Sequence, residues 1–460
     1  MLSRICMGLL LSVAIPIWSQ VEPSATGPPA TESEMQTPPP VSGQAYPTAT
    51  GSETRSNYLR VGLSISTAYD DNVIPSTSAK PIGDFTYSID PTFTLDQSTP
   101  RANRTLTYSP GFTLYQNTSA LNAINQNALA RFQYRLSPHT TMSLRDSFVQ
   151  SSNVFNQPDS GVSASTELPT AAVVAPFADQ INDAASAELS YQFSANGMIG
   201  GSGTYTMLKY TNPTQASGLP NSNSQGGSAF YNRRLSSTQY IGVTYQFSRM
   251  VSSLANAPSE TQMHTINSFY TIYLKHALTL SVSGGPQHFN VAESPLPPSA
   301  SWTPSVTASI GWQRSHTNLA ASYSRTVTGA GGLLGAFQSN SASASARWQF
   351  ARTWTIGSAG NYVNQKNVVP SFLSSTPGGS TVSGSVSVQH PMSDHLNVGF
   401  GYNRIHQSYS GIAVISANPD TDQVSISVSY QFVRPLGREL WQKNPRNRVR
   451  NRSTCSATLA

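Results

Sequence analysis

Charge is scarce in this sequence, because only 10% of the 460 residues are Asp, Glu, Lys or Arg. Soluble domains carry about 25%, so the composition argues against a multidomain cytosolic enzyme. The sequence also lacks an apolar run of the roughly 20 residues that a membrane-spanning helix needs. Its polarity comes from Ser, Thr, Asn, Gln and Gly, accompanied by 20 Tyr, 17 Phe and 6 Trp. This mixture is typical of strands with one apolar and one polar face.

Cysteine is scarce as well, since Cys6 and Cys455 are the two in the chain. They cannot form a disulfide framework or a cysteine-based zinc motif. The net charge of +6 lies in residues 433–460, where seven basic residues accompany the single acid Glu439. The body of the protein is therefore close to neutral.

The N-terminus has the build of an export signal. Arg4 precedes an apolar stretch from Ile5 to Trp18, which is typical of a secretory signal peptide and too short for a stable membrane anchor. We predict a signal peptide over residues 1–19, with cleavage after Ser19. Residues 20–57 are rich in Pro, Thr and Ser without an apolar period, which predicts a disordered periplasmic spacer.

From Leu59 onward, apolar and polar residues alternate with a period of two, which predicts strands with different faces. In Val424–Phe432, for example, the apolar residues interleave with Ser425, Ser427 and Ser429. Eighteen strands are predicted: 58–69, 84–95, 104–115, 127–136, 140–151, 184–194, 198–209, 228–235, 239–249, 263–274, 277–288, 301–314, 317–327, 340–350, 353–365, 381–390, 395–406 and 422–432.

Short connections between these strands alternate with long ones, which is the habit of outer-membrane barrels. A soluble sandwich would carry Lys and Glu on its polar face, and a propeller would show a sequence repeat. The predicted fold is therefore an all-β transmembrane antiparallel up-and-down β-barrel over residues 58–432, with about 18 strands and 16 as the alternative. An even count places both termini on the short-turn, periplasmic side, with residues 433–460 as a basic disordered tail.

The first predicted hairpin, TAYDDNVIPSTSAKPIGDFTYSIDPTFTLDQ (67–97), resembles that of the type-2 β-barrel porins of Gram-negative outer membranes. The matching residues are Tyr69, Asp70, Asp71, Asn72, Val73, Asp84, Tyr87, Ile89 and Pro91. The resemblance covers about thirty residues and implies an outer-membrane location and a barrel fold. It implies little about mechanism.

A search for reactive groups predicts no catalytic, cofactor-binding or metal-ligating residue and no cofactor. The eight histidines form no HxH or HExxH spacing, and no G-x-S-x-G motif is present. The predicted protein is not an enzyme. An outer-membrane enzyme with a site assembled from separate strands is the third alternative.

The predicted function is a water-filled, porin-like channel for passive diffusion of small hydrophilic solutes, because a barrel of this size leaves an aqueous lumen. A conduit or accessory barrel for exopolysaccharide export, dependent on periplasmic partners, is the alternative. Expected partners are outer-membrane lipid, the barrel-assembly machinery and small hydrophilic solutes. Nucleic acid is not expected, because the basic tail has a single aromatic residue, Trp441. Anionic lipid or a cell-wall polymer could bind this tail, and a solvated tail without function is equally consistent.

The longest predicted connection, 152–183, is the third long loop, and by analogy with general porins it folds into the barrel. Its acids are Asp159, Glu167 and Asp179. The preceding strands place Arg131, Arg135 and Arg145 on the lumen side, where these acids would face them across a constriction. A solvated surface loop is the alternative. The same strand phase puts Asp146 toward lipid, a conflict that a β-bulge would remove.

Overall fold

The structure is a computed structural model that describes residues 57–73, 81–99, 101–152, 178–212, 219–254, 257–274, 277–293, 297–329, 336–368, 378–410 and 420–435. The predicted signal peptide, nearly all of the spacer and most of the basic tail lie outside these residues. Within the described part of the chain, no helix is long and apolar enough to cross a membrane.

Eighteen antiparallel strands form one closed sheet, because β1 pairs with both β2 and β18. The strands are β1 Tyr58–Asp70, β2 Asp84–Ser98, β3 Ala102–Tyr115, β4 Ala123–Arg135, β5 Thr140–Ser151, β6 Gln180–Ser194, β7 Gly197–Tyr210, β8 Asn221–Ser236, β9 Gln239–Leu254, β10 Ala257–Leu274, β11 Leu278–Glu293, β12 Ser299–Gln313, β13 Thr317–Gly329, β14 Ala336–Gln349, β15 Thr355–Asn367, β16 Gly378–Pro391, β17 Leu396–Ser410 and β18 Asp420–Pro435. Each strand pairs with its sequence neighbours, so the barrel is up-and-down, and the first and last strands pair to close it.

The two faces of the sheet differ in polarity, as the alternation predicts. On β16 and β18, Val382, Val386 and Ile426 are exposed on the outer face, whereas Ser383 and Ser385 are buried on the inner face. An apolar outer face that stays exposed in the isolated chain is the surface that hydrocarbon covers in a membrane barrel. The fold is therefore the predicted transmembrane barrel, and the count of eighteen is confirmed.

The strands extend further than predicted toward the rim that carries the long loops, here called the long-loop rim. The opposite end is the short-turn rim. β8 begins at Asn221 rather than 228, and β10 begins at Ala257 rather than 263. These added residues are mostly polar, so the apolar alternation that marks a strand in the sequence stops before the backbone ladder does. The sheet thus continues beyond its apolar band.

Asp146 occupies the outer face of β5. The ladders that β5 forms with β4 and β6 run without a register shift, and they pair Asp146 with Ala130 and Ala185. The predicted bulge is therefore wrong, and the strand assignment stands with the carboxylate on the outer face. Asp183 lies on the same face of β6, one diagonal step away.

Candidate functional site

The lumen of the barrel is the candidate site, and three predicted arginines lie on its wall. Arg131 and Arg145 are direct cross-strand partners on β4 and β5. They share the inner face with Asn125 and Leu129, which are buried, whereas Ile124 on the other face is exposed. Arg135 lies on the same inner face at the short-turn end of β4. The structure thus brings the three arginines together on one patch of wall.

More arginines face the lumen than the sequence analysis identified. Arg60 on β1 forms an ion pair with Asp96 on β2, with 2.9 Å between Nη2 and Oδ2. The ladder registers also place Arg234 and Arg347 on the inner face, each close to the short-turn rim. The strict alternation along β8 and β14 is the signal that could have identified them.

The lumen-facing charges differ in sign along the barrel axis. In the half of the described barrel near the short-turn rim, they are Arg60, Arg131, Arg135, Arg145, Arg234, Arg347, Asp96 and Glu188. At the long-loop rim, the described strands place Asp70, Asp84 and Glu293 on the inner face. The inner wall is therefore acidic at one rim and predominantly basic toward the other.

Of the three predicted loop acids, the structure describes Asp179, which lies at the long-loop rim. The carbonyl oxygen of Asp179 accepts hydrogen bonds from the backbone N–H and Oγ1 of Thr211 at 2.9 and 3.2 Å, at the long-loop rim. Gln180 pairs with Ser151, six residues along β5 from Arg145, which corresponds to about 20 Å of strand. Asp159 and Glu167 lie outside the described residues, so the arrangement proposed for them stays a prediction.

The first-hairpin motif has a structural role that the structure makes explicit. Asp84 begins β2, and its carboxylate accepts hydrogen bonds from the backbone N–H groups of Phe85, Asn117 and Thr118 and from the side chains of Asn117 and Thr118, at 2.6–3.1 Å. Asp84 thereby fixes the loop that follows β3, including the 3₁₀ turn Ser119–Leu121.

Asp71 and Asn72 fasten β1 to β18. The carboxylate of Asp71 accepts a hydrogen bond from the backbone N–H of Asp422 at 2.8 Å, and the N–H of Asp71 donates to the carbonyl of Asp422 at 3.1 Å. The side-chain amide of Asn72 donates to the carbonyl of Asp420 at 3.0 Å. Asp70 is fully buried beside them, and its Oδ1 accepts from the N–H of Asn72.

Three more motif residues, Tyr69, Val73 and Tyr87, lie at this rim. Tyr69 and Phe85 are neighbours on the outer face, with ring centroids 5.1 Å apart. The Tyr87 hydroxyl donates to Gln116 Oε1 at 3.1 Å. Val73 is buried, and its N–H donates to the carbonyl of Ile82. These contacts place the motif residues from Tyr69 to Tyr87 at the rim and closure of the barrel, where Asp70 and Asp84 also face the lumen.

Polar side chains also join β17 to β18 on the outer face of the same rim. Arg404 Nη2 lies 3.1 Å from Asp420 Oδ1, and the Tyr402 hydroxyl donates to Asp422 Oδ1 at 2.6 Å. His406 Nδ1 lies 3.0 Å from Asp420 Oδ1. Among the described residues, no group of three His, Cys, Asp or Glu side chains is arranged to hold a metal ion.

Comparisons with known proteins identify no family for this chain. No protein-family model matches the sequence, and no curated protein matches it. The solved structures that it resembles include OpdL of Pseudomonas aeruginosa (9% identity, 82% of this chain and 99% of that chain, TM-score 0.39). They also include OccK2 (OpdF) of Pseudomonas aeruginosa (10%, 82% and 98%, TM-score 0.40) and the FrpB iron transporter of Neisseria meningitidis (8%, 83% and 82%, TM-score 0.43).

Proposed function

We propose that the protein is an outer-membrane channel for passive diffusion of small hydrophilic solutes. The supporting observation is the closed barrel of eighteen strands with an apolar outer face and a polar, arginine-bearing inner face. A barrel of 16–18 strands is wide enough for an aqueous path. The short-turn rim then faces the periplasm, together with both termini. The first-hairpin motif supports membership of the type-2 β-barrel porins.

Conductance of the purified full-length protein in planar lipid bilayers tests this function directly. A water-filled lumen predicts stepwise, ohmic current in the absence of any added partner. Heat-unfolded protein at the same concentration is the control for detergent artefacts. A folded barrel that inserts and carries no current would contradict the channel function and favour the export conduit, which needs periplasmic partners.

The wall arginines should make the channel prefer anions. Arg131→Glu and Arg145→Glu reverse the charge of a cross-strand pair on the lumen wall, so the reversal potential in a salt gradient should shift toward cation selectivity. Arg233→Glu is the matched control, because Arg233 lies on the outer-face phase of β8, opposite the exposed Ile241. Equal shifts in all three variants would place the selectivity elsewhere.

The loop after β5 is proposed to narrow the lumen as a second element of selectivity. Its support is the sequence, in which an apolar segment accompanies Asp159 and Glu167. Removing residues 160–178 should raise the single-channel conductance. The barrel should still fold, because β5 ends at Ser151 and β6 begins at Gln180. Unchanged conductance would identify this segment as a surface loop.

A further inference from the structure

The barrel wall separates into two layers between β11 and β13. The ladder between β12 and β13 joins residues 306–313 to 318–325 and stops there. Beyond this point β12 stays paired with β11 as far as Ser299, while β13 stays paired with β14 as far as Gly329 and Ala336. The two strands therefore continue toward the long-loop rim without pairing with each other.

A pair of prolines explains where the ladder ends. Pro286 and Pro304 face each other on β11 and β12. Neither has a backbone N–H, so they form a non-hydrogen-bonded pair, and the carbonyl of Pro304 points toward β13. Continuing the β12–β13 register would place Pro304 opposite Val327. The Val327 carbonyl would then have no donor.

Pro286 has the corresponding effect on its other neighbour, β10. The β10–β11 ladder skips from the Thr265–Gln287 pair to the Ser268–Gly284 pair. In this gap the backbones approach so closely that a Cβ on Gly285 would overlap the carbonyl oxygen of Ile266. The ladder is intact on both sides of the gap, so β10 and β11 remain in one layer.

Gln287 supplies the hydrogen-bond partner that β12 cannot provide. Its Nε2 donates to the carbonyl oxygen of Val327 at 2.8 Å, and its Oε1 accepts from the N–H of Val327 at 2.7 Å. These are the two bonds that a ladder partner would make. Gln287 projects from the inner face of β11 and is 4% exposed, so the Val327 peptide lies on the inner side of the wall.

Apolar packing joins the two layers. Met263, Phe289 and Val291 are on the inner face of β10 and β11, where they break the polar pattern of the lumen. Val327 and Ala336 follow the phase that faces outward lower on β13 and β14, yet they are 2% and 0% exposed. All five side chains form one buried cluster. Two packed β-layers are about 10 Å apart, so the inner layer occupies about that width of the lumen.

We propose that this inner layer, residues 326–329 and 336–339, is a constriction that sets the size limit of the channel, and that Gln287 is the residue that positions it. The proposal rests on the proposed channel function. The channel would then admit only solutes small enough to pass between this layer and the barrel wall that faces it. Pro304 and Gln287 act together on Val327. Pro304 cannot donate a backbone hydrogen bond to it, and the Gln287 side chain provides that bond instead.

Conductance of two variants tests the constriction. Gln287→Leu keeps the side-chain size and removes both bonds to Val327, and Pro304→Val restores an N–H with which β12 can pair to β13. Pro304→Val should return the inner layer to the wall, and Gln287→Leu should release this layer from β11. Each change should raise single-channel conductance, by up to about 1.5- to 2-fold if about 10 Å of lumen width is regained. The permeation limit for neutral sugars into liposomes should rise in parallel.

Matched controls separate this effect from general loosening. Gln423→Leu removes another buried amide on the inner face, on β18, and Pro110→Val replaces a proline of β3 whose ladder with β4 continues past it. Both controls should conduct like the parent protein. Equal conductance of the parent, Gln287→Leu and Pro304→Val, all folded, would overturn the proposal.

Thiol labelling provides a readout that does not depend on conduction. In a Cys6→Ser, Cys455→Ser background, Val327→Cys should be protected from a water-soluble maleimide, and adding Gln287→Leu should raise its labelling rate about tenfold or more, because a buried peptide without partners opens more often. Unchanged labelling would overturn the positioning role. A silent parent channel would refute the proposed function, and this comparison would still decide whether Gln287 holds the inner layer.

Discussion

The two sides of the barrel end their strands at the long-loop rim in opposite ways. On the first-hairpin side, the ladders reach the last residue of β1, where Asp70 pairs with both Asp84 and Gln423. On the proline side, the β12–β13 ladder stops at Val306 and Arg325, although both strands continue. The first side remains a single layer closed by side-chain hydrogen bonds, and the second becomes two layers packed through an apolar cluster.

The difference shows how much depends on one backbone donor. Every hydrogen-bonded pair of an antiparallel ladder needs an N–H from both residues, and a barrel wall in hydrocarbon cannot replace a missing N–H with water. Where the donor is present, the wall closes on itself. Pro304 lacks this donor. The side chain of Gln287 on β11 donates to Val327 instead, and this part of β13 lies on the inner side of the wall.

The largest expected effect tests whether the first side is a single layer against lipid. Ile426→Arg places a charge on the outer face of β18 and should destabilise the folded barrel by about 2–4 kcal/mol if the residue lies near the bilayer midplane. Ser427→Arg, one residue along and facing the lumen, should cost far less. Urea unfolding in lipid bilayers measures both, and equal costs would contradict the assigned facing.

The next effect concerns the rim of the same side. Asp84→Ala removes the acceptor of the hydrogen bonds from Asn117 and Thr118 and should cost about 2–3 kcal/mol, as for hydrogen bonds to a charged group. Asp394→Ala, on an exposed short turn, is the control. A cost below that of the control would mean that solvent replaces the whole network.

The smallest effect compares the two sides at one residue type. Val327 is buried between layers, whereas Val424 is 55% exposed on the outer face. Val327→Ala should cost about 2 kcal/mol because a cavity remains, and Val424→Ala about 1 kcal/mol or less because lipid refills the space. Equal losses of unfolding free energy would indicate that Val327 also faces lipid and that the wall is single-layered.

The sequence predicted the continuous part of the wall well, because period-two alternation depends on residues close in the chain. The strands around Val382 and Ile426 have one apolar and one polar face, as the alternation predicts, and all eighteen predicted strands are present. The separation of the layers could not be predicted, since Pro286 and Pro304 matter through their register against each other and against Val327. The apolar residues Met263, Phe289 and Val291 on the lumen-facing phase were the available signal.

The candidate site divides in the same way. Arg131 and Arg145 follow from alternation on β4 and β5, and the structure adds Arg234 and Arg347 by the same rule. The first-hairpin motif was visible as a pattern, but the partner of Asp71 is on β18. A bond between the two ends of the chain carries no signature in local sequence.

That closing bond has a consequence for how the barrel assembles. Asp71 and Asp422 are 351 residues apart, and Asn72 and Asp420 are 348 apart, so β18 must be synthesised before β1 can find its second neighbour. Contacts of such long sequence separation form late and slowly. A slip of two residues would keep every side chain on its proper face, and alternation alone would not correct it. The Asp71 and Asn72 contacts form only in the native register. They therefore stabilise the correct pairing of the first and last strands over a slipped one.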